Sequence, residues 1–401
     1  MRHVTRTLDP AAATLEGLAP RIIRVSLGLA LAGIVASALL TAAGGGLDQF
    51  LHSYLVAFVF FLSLTLGALY FVVLQHLVRA GCSVVVRRPA EALAMNMPLL
   101  ALLSLPVLFG LSRLYPWASP ANAADAWLLH KRPFLNVPFF LLRWVVYFGV
   151  WTWMARYFWT RSVRQDGSGE VALTRQMEHA SGGSMALFAL TLNFCAFDLL
   201  MSLAPRWYST IFGVYFYAGS TVGFFALLSV LIALLQRSGR LGGAVSDEHY
   251  HDLGKLVFAY TIFWAYIAFS QFMLIWYANI PEETAWYRIR VTGPWQPVGL
   301  LLLFGHFFLP FFYLLPRFVK RRPKLFGPMA AWVLLMHYTD LYWVIRPEAS
   351  PGRVPLHPMD VACVLAVGGL WLAAAAHRLR RRSLVPSRDP RLLESLAFEN
   401  A

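Results

Sequence analysis

The sequence predicts an all-α, polytopic integral membrane protein, and three observations predict it. Hydrophobic residues make up 58% of the 401 and charged residues only 13%, about half of the roughly 25% that covers a soluble domain. The chain divides into ten apolar runs, each near the ~20 residues that a spanning helix needs. The basic residues gather in alternate connecting segments. A mean hydropathy of +0.58 excludes a disordered chain, and so few charges exclude a soluble enzyme of this size.

The first run, 22–43, follows a basic amphipathic lead and is longer than a signal-peptide core, so it reads as an anchor despite its small-residue exit Thr41-Ala42-Ala43. The second and third, 51–78 and 90–112, flank the basic segment 79–88. The fourth, 135–158, carries Arg143 and Arg156, and the fifth, 181–201, carries Asp198. The sixth, 209–235, holds Gly219-x-x-x-Gly223, a spacing that lets helices approach closely. The seventh, 253–280, follows a cluster of Asp247, Glu248, His249, His251 and Asp252. That cluster reads as the solvated, acid-rich first turn of a helix, with a metal site as the alternative. The eighth, 295–315, contains His306, and the ninth, 325–345, contains His337 and Asp340. The tenth is 359–377, and the basic tract from Arg317 to Lys324 reads as an anchor for anionic lipid heads.

With the N-terminus inside, 24 of the 34 Lys and Arg fall in inside segments and 8 in outside loops. This bias puts both termini in the cytoplasm and accounts for the net charge of +14 without nucleic acid. The chain then reads as a tail over 1–20, a ten-helix membrane domain over 21–380 and a second tail over 381–401. Trp117, Trp127, Trp207, Trp286, Trp295, Tyr342 and Trp343 sit near helix ends, as an interfacial belt would. No room is left for a soluble catalytic domain, and no phosphate-binding loop is present. Cys82, Cys195 and Cys363 form no C-x-x-C pair, so they supply neither a disulfide framework nor an iron–sulfur cluster. They read as small buried apolar residues.

Ionisable residues within spans are costly and mark function by default. Arg143 lies about 8 residues into the fourth helix, ~12 Å deep at 1.5 Å per residue. Asp198 lies near the outer end of the fifth, His306 in the middle of the eighth, and His337 and Asp340 share a face of the ninth. Overlaying helices 2–5 on 6–9 puts a basic or titratable group on each third helix and an aspartate on each fourth. Two parallel four-helix repeats with a flanking pair are therefore expected. Each group has a structural reading as well. Arg143 neutralises Asp198, Asp340 caps or pairs with His337, and His306 donates to a backbone carbonyl freed by Pro310. The functional readings are a proton relay or quinone-head binding. A b-type haem held by His306 and His337, whose depths differ by only about 4 Å, is a third.

Three stretches carry a resemblance: FDLLMSLAPRWYSTIFGVYFYAGS (197–220), DLGKLVFAYTIFWAYIAFSQFMLIWYANIPEETAWY (252–287) and DPRLLESLAFEN (389–400). They are similar to the ActF-type membrane subunit of bacterial alternative complex III, a quinol:electron-acceptor oxidoreductase related to the NrfD or polysulfide-reductase membrane subunits. LNVPFFLLRWVVYFGVWTWMAR (135–156) looks similar too. The chain departs from the family at Leu199, Ala204 and Arg206, where Trp, Glu and His are expected; Asp198 matches. The resemblance implies a complex in the bacterial inner membrane, with haem c and iron–sulfur clusters in partner subunits and a sister ten-helix subunit. It implies no cofactor held here by cysteine, and a quinone or menaquinone as the ligand to consider. On this reading Arg143, Asp198, His306, His337 and Asp340 carry protons or bind a quinone head, and the subunit is not catalytic alone. A secondary transporter with its site between the repeats and a purely structural subunit are the alternatives.

Overall fold

Glycines set the first reversal of the chain. In Gly44-Gly45-Gly46 the first and third residues adopt φ of +105° and +72°, which side chains resist, and a helix running from Ala19 turns back there. The computed structural model of the protein describes residues 13–400. Residues 1–12, with Arg2 and Arg6 of the basic lead, lie outside the described residues, as does residue 401. Among the described residues the chain is helix and loop, with one isolated β-bridge between Thr14 and Ser383.

Among the described residues, eight helical stretches are long and apolar enough to cross a membrane, which makes this a polytopic membrane protein. The first stretch, Ala19–Leu77, holds two helices, α1 (Ala19–Leu40) and α2 (Gly46–Leu77), divided at the glycines. The next are α3 (84–114), α4 (Val137–Ser168), α5 (Val171–Leu199), α6 (Phe212–Arg237) and α7 (Asp247–Ala278). Then come α8 (296–314), α9 (Pro323–Ala349) and α10 (Pro358–Leu379). The helix α9 is 27 residues long but less apolar, carrying Lys324, Asp340, Arg346 and Glu348, and is not among the eight stretches.

Three helices differ instructively from their apolar runs. The third is broken after Ala94, Leu103 and Phe109; at the first two breaks Pro98 and Pro106 donate no backbone bond, and Ser104 Oγ takes up the Ala101 carbonyl at 2.7 Å. The fourth and fifth run about ten residues past the expected ends at 158 and 181. An apolar count stops at the first polar residues, whereas the helices continue as a polar stem. There Gln165 donates to Thr174 at 2.7 Å and Gly169 turns the chain at φ +69°.

Packing is organised around α2, whose residues from Leu51 to Val73 are buried on almost every side. Such an all-round apolar helix belongs in the middle of a bundle. It packs on α3 and α5, and α6 packs likewise on α7 and α9. In both sets the third helix lies between the second and fourth (α4 between α3 and α5, α8 between α7 and α9), and α2 meets α6 where the sets join. The pair α1 and α10 flanks them. These two approach closely through small residues: a Cβ on Gly33 would lie 2.4 Å from the Ala366 nitrogen, and one on Gly369 would lie 2.4 Å from the Ser26 oxygen.

The first and last described residues lie at the same end of the bundle, here called the basic end. Residues 381–400, expected as a tail, form a strap across it. Leu384 N bonds Ala13 O at 2.7 Å, Asp389 pairs with Arg87 at 2.5 Å, and Arg391 pairs with Glu178 at 2.6 Å. Leu384, Val385, Leu392 and Leu396 are buried beneath it.

Candidate functional site

The five residues singled out from the sequence fall into two groups, one in each four-helix set. In the first, Arg143 of α4 meets Asp198 of α5. Nε and Nη2 donate to the two carboxylate oxygens at 2.7 Å each, a bidentate, charge-assisted geometry. Tyr147, one turn along α4, donates to Asp198 Oδ2 at 2.7 Å. Arg143 Nη1 also donates to Phe134 O at 3.0 Å, and the Phe134 and Phe139 rings cover the guanidinium. Every charged atom has a partner, so the pair is a neutral, locked unit joining two helices.

The second group is built differently. Asp340 of α9 has no cation beside it. Its carboxylate accepts from Tyr215 Oη of α6 at one oxygen and from Trp264 Nε1 of α7 at the other, the latter at 3.1 Å. His337, one turn earlier, bonds Ser63 Oγ of α2 at 2.8 Å through Nε2, and its Nδ1 has no partner. His306 lies in a widened turn of α8, Leu302–Phe308, with its ring 4.0 Å from that of Trp264. Neither of its ring nitrogens has a partner among the described residues. Exposures of 0%, 0% and 1% for His306, His337 and Asp340 place all three inside the protein. Gly219 and Gly223 make the space: a Cβ on Gly223 would lie 2.4 Å from the His337 ring, and one on Gly219 would lie 3.3 Å from His337 and 3.7 Å from Asp340.

Two structural readings are thereby corrected. His337 and Asp340 share a face, yet Asp340 bonds Tyr215 and Trp264 rather than His337. The carbonyl beside Pro310's break goes to another residue: Trp332 Nε1 donates to Gly305 O at 2.7 Å, and His306 keeps both nitrogens free. Wide helical turns of this kind recur at functional sites.

Other buried polar groups escaped the sequence reading. At the basic end of α3, Glu91 lies between Arg87 at 3.1 Å and Arg88 at 3.4 Å and accepts from Ser162 at 2.9 Å; Arg88 also pairs with Asp166 at 2.7 Å. The three- and four-residue spacings from Arg88 and Arg87 to Glu91 were the available signal. At the opposite end, Arg346 donates to Gln49, which donates to Ser53, which donates to Asp360 at 2.6 Å. Buried Arg290 pairs with Glu348 at 2.9 Å and stacks 3.5 Å over Trp286. These partners come from distant parts of the chain, and no local pattern announces them.

In the acid and histidine cluster before α7, His249, Glu248 and Asp252 have structural partners. His249 Nδ1 bonds Ser246, its Nε2 bonds Ser395 O at 3.0 Å, Glu248 pairs with Arg321, and Asp252 pairs with Lys255 at 2.6 Å. No group of three or more His, Cys, Asp or Glu side chains able to hold a metal comes together among the described residues. The departing positions Ala204 and Arg206 line a cavity of about 350 Å³ at the end opposite the strap, with Glu282, Glu348 and Asp125. Arg206 bonds Asp125 at 2.7 Å and holds its carboxyl below the usual range. Set against protein-family models and against the curated proteins, the chain has no match in either.

Proposed function

We propose that the protein is a proton-conducting membrane subunit of a bacterial respiratory quinol:electron-acceptor oxidoreductase of the alternative complex III type. In this reading it crosses the inner membrane ten times, α9 included, with both termini and the strap in the cytoplasm. The two four-helix sets are repeats, and their aspartates are equivalent positions that have taken different roles. Electron transfer belongs to partner subunits that carry haem c and iron–sulfur clusters, and a sister subunit of the same architecture stands beside this one.

The observation that supports proton handling is the contrast between the two aspartates. Asp198 is neutralised by the bidentate guanidinium of Arg143. Asp340 is buried with only neutral donors, and an unpaired charge at such a depth is costly. A proton relieves that cost, and Tyr215 and Trp264 hold the carboxyl in one place as it comes and goes. His306 and His337 lie close by with three unpaired ring nitrogens, groups through which a proton can be handed on. The cluster is fully enclosed, which favours protons over a quinone head as what it handles. Moving one charge across 100 mV is worth about 2.3 kcal/mol, so the membrane potential would act on such a step.

The test starts with the tagged protein purified from its native membrane in mild detergent. Co-purifying haem c and iron–sulfur subunits, seen in a reduced-minus-oxidised spectrum, are expected; a lone, colourless chain would overturn the complex. The Asp340→Asn complex, reconstituted in vesicles, is expected to assemble and oxidise quinol while proton movement read by a pH dye is lost. Native proton movement in that variant would sink the role of Asp340.

A further inference from the structure

A groove runs between α3 and α4 on the outside of the bundle, with a volume of about 880 Å³. It exists because α3 is broken on either side of Met97–Leu103 and because Ala101 and Gly149 present no bulk. A Cβ on Gly149 would meet nothing within 4 Å. The neighbouring face of α4 is exposed and apolar, through Leu142, Val145, Val146 and Trp153. In a membrane-embedded protein this face is turned to hydrocarbon.

The groove is not apolar along its whole length. Toward the basic end it is lined by Thr152, Arg156, Tyr157, Thr160 and Arg161, and no acidic side chain lines it anywhere. Arg156 is exposed, and no hydrogen-bond or ion-pair partner of its side chain is found among the described residues. It lies about 28 Å along the helix from Val137 at 1.5 Å per residue, close to the ~30 Å thickness of a hydrocarbon core. Arg156 therefore reaches headgroup level within the groove. Arg161, further on, is held in place: it stacks 3.4 Å over Tyr157 and donates to Gln176 at 3.1 Å.

We propose that this groove binds one anionic phospholipid, its phosphate on Arg156 beside Arg161 and an acyl chain lying along Ala101 and Gly149 toward Leu108. Charge complementarity selects the headgroup: two guanidinium groups, no carboxylate, and a planar fork that suits phosphate. The volume and the open space at Gly149 admit the chain. The inference requires membrane embedding and does not depend on proton conduction.

The experiment is lipid analysis by mass spectrometry of the full-length protein, purified in mild detergent with whatever it associates with. The wild type is expected to retain anionic over zwitterionic phospholipid. In Arg156→Gln that ratio falls about fivefold, the effect of one basic side chain near an anionic surface, and in Arg156→Lys most of it returns. Gly149→Leu fills the groove from a position with room for a side chain and lowers retention of both lipid classes. An unchanged ratio in Arg156→Gln, or unchanged retention in Gly149→Leu, would overturn the proposal. So would a photo-crosslinker at Thr152 that captures a polypeptide and no lipid.

Discussion

Asp198 and Asp340 show how little a residue's identity says about its task. Both lie near the same end of the fourth helix of a set. Asp198 receives both prongs of Arg143 and the Tyr147 hydroxyl; Asp340 receives two neutral donors. Removing one partner of a buried pair leaves an uncompensated charge and costs about 3–5 kcal/mol. Arg143→Met is therefore expected to lower thermal stability in detergent sharply, and Arg143→Met with Asp198→Leu to recover most of it. Equal melting temperatures for the wild type and Arg143→Met would show that the pair is not held as described. The Arg143–Asp198 pairing was legible from depth alone. The partners of Asp340 were not, because Tyr215 and Trp264 are aromatics with polar tips among many others. Nor was the freedom of His306, which depends on Trp332 reaching the Gly305 carbonyl first.

At the scale of elements, small residues decide which helices touch. In lipid, apolar surface alone does not drive helices together, so close backbone approach carries the contact. The contact of α1 with α10 offers a test with its own control. Gly33→Leu must displace the backbone of Ala366, whereas a side chain at Gly28 in the same helix meets nothing within 4 Å. The first is expected to cost about 1–3 kcal/mol or more through overpacking, the second to stay within about 0.5 kcal/mol. Comparable melting shifts for the two would refute the packing described. The Gly219-x-x-x-Gly223 spacing was visible in the sequence; it lies where α6 packs closely on α9, and it also seats His337. Helix existence followed from apolar length. Helix ends did not, since the polar stem of α4 and α5 is built by partners such as Gln165 and Thr174. The breaks in α3 are traceable to Pro98 and Pro106, which an apolar count passes over.

At the scale of the whole molecule, the strap ties the basic ends of the two helical sets together. Its residues Asp389, Arg391, Ser395 and Asn400 reach α3, α5 and α7. Residues 381–401 follow the last apolar run and on that ground read as a tail, yet 389–400, the stretch that carries the resemblance, makes these contacts. Cys82 reports on the strap directly. Its carbonyl accepts from Ser395 Oγ at 2.8 Å, and Glu394 crowds Gly81 beside it. Burial, helped by the negative charge of Asp252, pushes the Cys82 thiol up to about 12, while a free cysteine titrates near 8.5. Only the thiolate reacts, so in the intact protein Cys82 is expected to resist maleimide at pH 8. Deleting 389–401 uncovers the loop and returns the thiol toward its ordinary range. A three-unit return would raise the thiolate fraction at pH 8 by on the order of a hundredfold or more. Labelling of the Cys82 peptide, followed by mass spectrometry, checks this. Equal rates in the intact and shortened chains would show that the strap does not close over the basic end, and the two helical sets would then be held together by α2, α6 and their neighbours alone.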